Sequence, residues 1–215
     1  MKLNIIKNIC LSTIFGLVLF SCGNSSTGNS ETYSNKPTTT PATQASSPTS
    51  AFLYISDSGN IQLAEIVLEP GGSCRINTKN GTFFGEKKGD KLKYYDQQNN
   101  FRYEIKYKES SFKIRDQNSS LLWKIKTYDN KIKLSNNEEM ENPIEIKLKN
   151  DQKIVVSKNG AEVQTIRIDP SKSPLNISNQ YFSNGSFKNN YHAAIMNLTE
   201  LSSDEKYMLI SELNR

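Results

Sequence analysis

Few side chains in this sequence offer chemistry. His192 is the only histidine among 215 residues, and it lies between Tyr191 and Ala193. As a catalytic base it would need a nucleophile and an orienting group, and as a metal ligand it would need companions. The sequence places neither beside it, so His192 reads as a surface or packing residue. Cysteine occurs at Cys10, Cys22 and Cys74. Cys74 follows Gly71-Gly72-Ser73 and precedes Arg75. A thiol activated by Arg75 and a distant His192 is one reading, and a small buried residue at a strand start is the stronger one. Glu138, Glu139 and Glu141 cluster. A cation site or an acid–base pair would need carboxylates converging from elsewhere, so these read as a solvated turn. No Gly-x-Ser-x-Gly elbow, His-Glu-x-x-His pair, Asp-x-Asp-x-Asp loop or Gly-rich phosphate loop is present. The expectation is no catalytic residue, no metal and no cofactor.

The elements that would position any site read as β-hairpins. Phe101, Tyr103, Ile105 and Tyr107 alternate with Arg102, Glu104, Lys106 and Lys108. Trp123, Ile125 and Thr127 alternate with Lys124, Lys126 and Tyr128, and Ile144, Ile146 and Leu148 with Glu145, Lys147 and Lys149. Period-two alternation marks antiparallel strands with one dry and one wet face. Phe52–Ser56, Ile61–Leu68 and Thr82–Phe84 add further strands, with Pro70-Gly71-Gly72 as a turn. The total is eleven or twelve strands. So many strands must close into a barrel or split into a sandwich, because open edges aggregate.

A repeat underlies the pattern. Leu92–Lys106 aligns without gaps on Phe112–Lys126 at an offset of 20, matching Asp96 to Asp116, Gln97 to Gln117, Tyr103 to Trp123 and Ile105 to Ile125. A third copy places Leu134 and Ile146, and a fourth Val156 and Ile168, at the Tyr94/Ile114 and Ile105/Ile125 positions. Each unit is strand, polar turn, strand, and no single unit can bury its own apolar face.

After Pro170 and Pro174 the period changes. Phe187, Tyr191, Ala194, Ile195 and Leu198 share a helical face, and Ser202-Ser203-Asp204-Glu205 offers a capping box before a second helix. Repeated hairpins followed by a C-terminal helix resemble the LURP-one-related and tubby C-terminal barrels, over about residues 52–213. The carrying hairpins are of the type Phe112-Lys-Ile-Arg-Asp with Leu122-Trp-Lys-Ile-Lys. The resemblance implies strands wrapped around a central helix. Asn197, Thr199, Glu200, Asp204 and Glu205 depart from it by making the helices amphipathic, which suits a cap over the barrel.

The N-terminus carries an address. Lys2 and Lys7 precede the uncharged NICLSTIFGLVLF, too short for a comfortable membrane span. No run of about 18 apolar residues occurs, which excludes a polytopic membrane protein. The run ends Leu19-Phe20-Ser21-Cys22, which resembles the bacterial lipobox. That resemblance implies a signal peptide over 1–21, cleavage between Ser21 and Cys22, and acyl chains, palmitate among them, on Cys22. Phe20 is bulkier than the usual residue there. Gly23, instead of Asp, resembles a pass to the outer membrane. Residues 23–50 hold 14 Ser or Thr in 28, so 22–50 is expected to be a disordered tether. Residues 51–215 are then one β domain with C-terminal helices. With Cys10 removed and Cys22 acylated, Cys74 has no partner for a disulfide.

Net charge is +5 from 27 basic and 22 acidic residues. Lys93, Lys113, Lys124, Lys126, Lys133 and Lys147 fall on the wet phase of strands. Such a stripe could meet anionic head groups or polyanions, but the interleaved acids favour a solvated face. Nucleic acid is not expected for an exported chain. The reading is a lipid-anchored envelope lipoprotein with a non-catalytic β module for a protein, glycan or lipid. The alternatives are a structural spacer, or an enzyme with dispersed carboxylates or Cys74 at its centre.

Overall fold

The computed structural model describes residues 49–150, 153–169, 175–178 and 180–215. The expected signal peptide, Ser21, Cys22 and nearly all of the expected tether lie outside the described residues. Fourteen strands form one sheet: β1 Ala51–Asp57, β2 Gln62–Leu68, β3 Cys74–Thr78, β4 Gly81–Lys88, β5 Lys91–Tyr95, β6 Phe101–Lys108, β7 Ser111–Asp116, β8 Leu121–Tyr128, β9 Lys131–Ser135, β10 Ile144–Asn150, β11 Lys153–Lys158, β12 Ala161–Arg167, β13 Leu175–Ser178 and β14 Tyr181–Gly185. The order across the sheet is β12 back to β1, then β14 and β13. It is an antiparallel meander, as the alternation predicts. The strands that the pattern misses are β13 and β14, which are short, while β3 begins at Cys74, the expected strand start.

The connectivity forces this sheet to curl. Laid flat, thirteen interstrand steps would separate β12 from β13 by on the order of 60 Å. The chain from Arg167 to Leu175 is eight residues on and reaches at most about 28 Å. The two ends of the sheet are therefore drawn toward each other. Among the described residues no ladder joins β12 to β13.

The repeat is structural, down to its irregularities. Tyr94 faces Tyr103, Ile114 faces Trp123 and Leu134 faces Ile144. The pairing slips by one residue just after Tyr94, just after Ile114 and just after Val156. In the fourth copy Ile154 pairs with Ile166, as Leu92 pairs with Ile105. The Ile105 position therefore falls on Ile166 and not on Ile168, two residues later. Both are buried, because a shift of two preserves the face. A further copy lies upstream, where Ile55 pairs with Ala64, Leu53 with Ile66, and the slip follows Ile55.

The turns agree. Asp57, Asp96 and Asp116 each accept two backbone N–H groups, from the second and fourth residues on, at 2.8–3.0 Å. The third residue after each Asp, Asn60, Asn99 or Ser119, has φ between 61° and 67°. Asn tolerates this left-handed conformation best, which explains its presence in two of the three.

Two helices follow, α1 Tyr191–Ile195 and α2 Ser203–Leu213. α1 is shorter than the Phe187–Leu198 spacing suggests. The Asn189 side chain accepts the Tyr191 N–H, and Phe187 precedes the helix. The capping box at α2 is present, with Ser202 and Glu205 bonded reciprocally. α1 packs on β10, β11 and β13, near both ends of the sheet, while α2 packs on β2 and β3. Every residue of α1 and the run Tyr207–Glu212 of α2 are buried. Six successive buried residues cover all sides of a helix, so α2 fills the roll where its amphipathic sequence suggested a cap. Inward residues of the strands and both helices form one apolar cluster.

Candidate functional site

His192 lies inside, 1% exposed. Its Nδ1 is 3.0 Å from the Asn189 carbonyl oxygen, which can only accept, so Nδ1 carries the proton. Its Nε2 then accepts the Ser183 hydroxyl at 2.9 Å. Hydroxyl, imidazole and orienting carbonyl have the connectivity of a nucleophile and its base. Both side chains are nonetheless buried, and Phe187 stacks on the ring at 3.9 Å. Four surface cavities have other linings. The pair ties α1 to β14. Sequence distance gave no hint of Ser183 as the partner.

Burial pushes the His192 pKa down to about 4. A depressed folded pKa makes the contribution complete above the unfolded value near 6.5 and progressively lost as pH falls toward 4. Stability should drop by about 2 kcal/mol between pH 6.5 and 5, and by about 3 in all by pH 4. Urea melts across that range test this, and a flat profile would show that His192 is not held neutral. In His192→Gln the slope above pH 5 should vanish.

Cys74 opens β3 and is buried, while Arg75 points outward. Burial raises the thiol pKa. Its Sγ lies 3.3 Å from the Tyr94 hydroxyl. Neither Arg75 nor His192 is a partner, so the activated-thiol arrangement is not built. Gly85, across the ladder from Cys74, leaves the room this contact needs, since a Cβ there would come within 2.6 Å of the sulfur.

Glu138 lies in a turn with its side chain 42% exposed, in keeping with a solvated loop, but it is paired. It turns back over the outer face of β7 and β8 and bonds Lys113 at 2.6 Å and Arg115 at 3.1 Å, with Lys124 3.7 Å away. The Lys113 bond leads in holding its carboxyl below the ordinary range. Glu139 and Glu141 do not join it. The Glu141 backbone instead bonds Asn137 and Ser135 within the loop.

The most built polar group is one that sequence reasoning missed. Glu212, near the end of α2, has a side chain 0% exposed. Its Oε1 accepts the Tyr94 hydroxyl at 3.0 Å and the Arg215 Nε–H at 3.1 Å, and its Oε2 accepts Tyr107. Burial raises the Glu212 pKa against the opposing pull of Arg215 and both tyrosines. Burial, followed by the Glu212 charge, raises Tyr107 as well. Arg215 also donates to the Gly72 carbonyl. Its Nη2 is buried with no hydrogen-bond partner among the described residues. Two signals were available. Tyr94 is the one hydroxyl-bearing residue at a repeat position otherwise filled by Ile, Leu and Val. Glu212 stands four residues after Met208 and three after Leu209, on the apolar side of its helix.

A cavity of about 540 Å³ opens beside this cluster. Ala51, Leu68 and Pro70 supply apolar wall, and Lys87, Lys188 and Arg215 supply cations. Glu69 is the one carboxylate in the lining. The volume and mixed lining suit a small ligand with an apolar body and an acidic group. Among the described residues, no group of three or more His, Cys, Asp or Glu comes together as metal ligands. No helix among them is long and apolar enough to cross a membrane. No protein-family model matches the chain, nor does any curated protein or solved structure.

Proposed function

We propose that this chain is a bacterial lipoprotein. Residues 51–215 form a non-catalytic binding module, held at the cell envelope by acyl chains on Cys22. The address rests on the charged n-region, the short apolar run and Leu19-Phe20-Ser21-Cys22. Three acyl chains hold a protein firmly where one binds only marginally. The observation that carries the binding role is the cavity beside the Glu212 cluster, whose lining combines Ala51, Leu68 and Pro70 with Lys87, Lys188 and Arg215, of which Lys188 and Arg215 also bond within the protein. Its ligand is a small acidic amphiphile whose acidic group meets Arg215, Lys87 and Lys188. The buried Ser183–His192 pair favours binding over catalysis, because no substrate reaches it.

One preparation tests both parts. The chain is extracted from envelopes in neutral detergent, and intact masses are measured under denaturing and native conditions. The denatured mass should equal residues 22–215 plus the acyl groups, and a bare polypeptide mass would overturn the anchor. The native spectrum should show a small acidic adduct that Ala51→Trp, which fills the cavity from its apolar side, loses. Equal adduct on both chains, or none on either, would overturn the binding role.

A further inference from the structure

The strand register places lysines opposite one another in an unbroken row. On the outer face Lys88 pairs with Lys91, Lys91 with Lys106, Lys106 with Lys113, and Lys113 with Lys124. The row crosses five adjacent strands, β4 to β8, with charges repeating at the strand spacing of about 4.8 Å. Directly opposed like charges destabilise a sheet, and here four such pairs occur in succession. Acids neutralise the row only in part. Glu86 meets Lys88, Glu104 meets Lys91, and one carboxylate, Glu138, serves three cations. Lys106 at the centre of the row makes no ion pair among the described residues, nor do Lys108 and Lys126 beside it. On the outward positions of β5 to β9, Glu104 is the only carboxylate. A cavity of about 470 Å³ runs alongside, lined by Lys91, Lys106, Lys108, Lys113 and Arg115 among others.

We propose that this face binds an extended polyanion, with the chemistry of an acidic polysaccharide carrying carboxylates or sulfates along its length. Single sequence positions favoured a solvated face because acids are interleaved with the lysines along the chain. Across the strands the next row does alternate, Glu86 with Lys93, Glu104 and Arg115, but the row from Lys88 to Lys124 holds no acid, and only the register separates the two. A row of charge at a regular interval complements a chain of charge. A planar membrane is a poorer fit for two reasons. The row runs across strands, hence around the curve of the roll, where a flat surface meets few strands at once. Membrane-docking faces also combine cations with apolar side chains that insert. Among the described residues, the large apolar side chains exposed on these strands are Phe84 on β4 and Tyr128 on β8, at the two margins of the row, and none lies on β5, β6 or β7 between them. This site is separate from the cavity over Glu212 and stands without it.

The test uses the full chain in neutral detergent micelles, with heparin as the probe and salt as the variable. Polyanion binding releases counterions, so affinity should fall linearly in log–log form with salt. Lys106→Gln combined with Lys126→Gln should lower that slope by about 1.4, taking about 0.7 per charge as for a flexible strand. The same change should leave the melting temperature equal or higher, since opposed charges are relieved. Lys79→Gln with Arg167→Gln removes the same charge from β-turn and β12 positions and should leave the slope unchanged. An equal drop in both double variants would show that only net charge matters and would overturn the site. Absence of heparin binding would do so too. Displacement of heparin by phosphatidylglycerol added to the micelles, as effective as displacement by free heparin, would replace the polymer with a lipid surface.

Discussion

Glu212→Ala should cost about 3–5 kcal/mol, the range for breaking a buried ion pair from one side. The change removes the acceptor shared by Tyr94, Tyr107 and Arg215. Arg215 then keeps a largely buried charge with only the Gly72 carbonyl as a partner. Two tyrosine hydroxyls lose their acceptor in the same place, and an unmade buried hydrogen bond costs about 1–3 kcal/mol. A domain of this size holds about 5–15 kcal/mol, so the urea midpoint should fall visibly. Glu212→Gln keeps a carbonyl oxygen for one donor and should lie between Ala and the parent. Replacing both partners, Glu212→Leu with Arg215→Met, should cost less than Glu212→Ala alone, because no charge is left stranded. If Glu212→Ala shifts stability by less than about 0.5 kcal/mol, the cluster does not hold α2 in the roll.

What the sequence shows of this fold is what repeats within about twenty residues. The dry phase of β5 to β11 is legible because each strand alternates and each hairpin restates the last. Tyr94, Ile114, Leu134 and Val156 are all buried, as the offset requires. Asp57-Ser-Gly-Asn-Ile escapes the alignment although its turn matches those at Asp96 and Asp116, because it shares only the Asp and one Asn with them. The cluster at Glu212 escapes for another reason. It joins residues 118 and 105 positions apart, and no local pattern encodes that meeting. The same holds for Glu138, whose loop is solvated as its composition suggests, but whose pairing with Lys113 and Arg115 no local pattern encodes. The amphipathic sequence of α2 suggests a cap because Asp204 and Glu205 fall in its first turn. Only there is the helix wet, and from Tyr207 onward the roll closes around it.

Trp123→Ala should cost about 3–5 kcal/mol, the range for removing a large buried aromatic. Trp123 sits on the inward phase of β8, 8% exposed, opposite Ile114 and in the same cluster as Ile125. The contrast that gives this value meaning is an outward neighbour. Lys124 is outward but unsuitable, since it donates to the Glu138 carbonyl and lies beside the Glu138 carboxylate. Lys126, two residues on, is exposed and faces Lys133. Lys126→Ala should therefore change stability by about 0.5 kcal/mol or less, with Lys124→Ala falling between the two. Adjacent strand residues point to opposite faces, so a slip of one residue in β8 would exchange the inward and outward roles. Urea melts showing comparable losses for Trp123→Ala and Lys126→Ala would place β8 in the wrong phase. The opposed lysine row depends on that phase too, because Lys124 reaches its place opposite Lys113 only when Trp123 and Ile125 point inward.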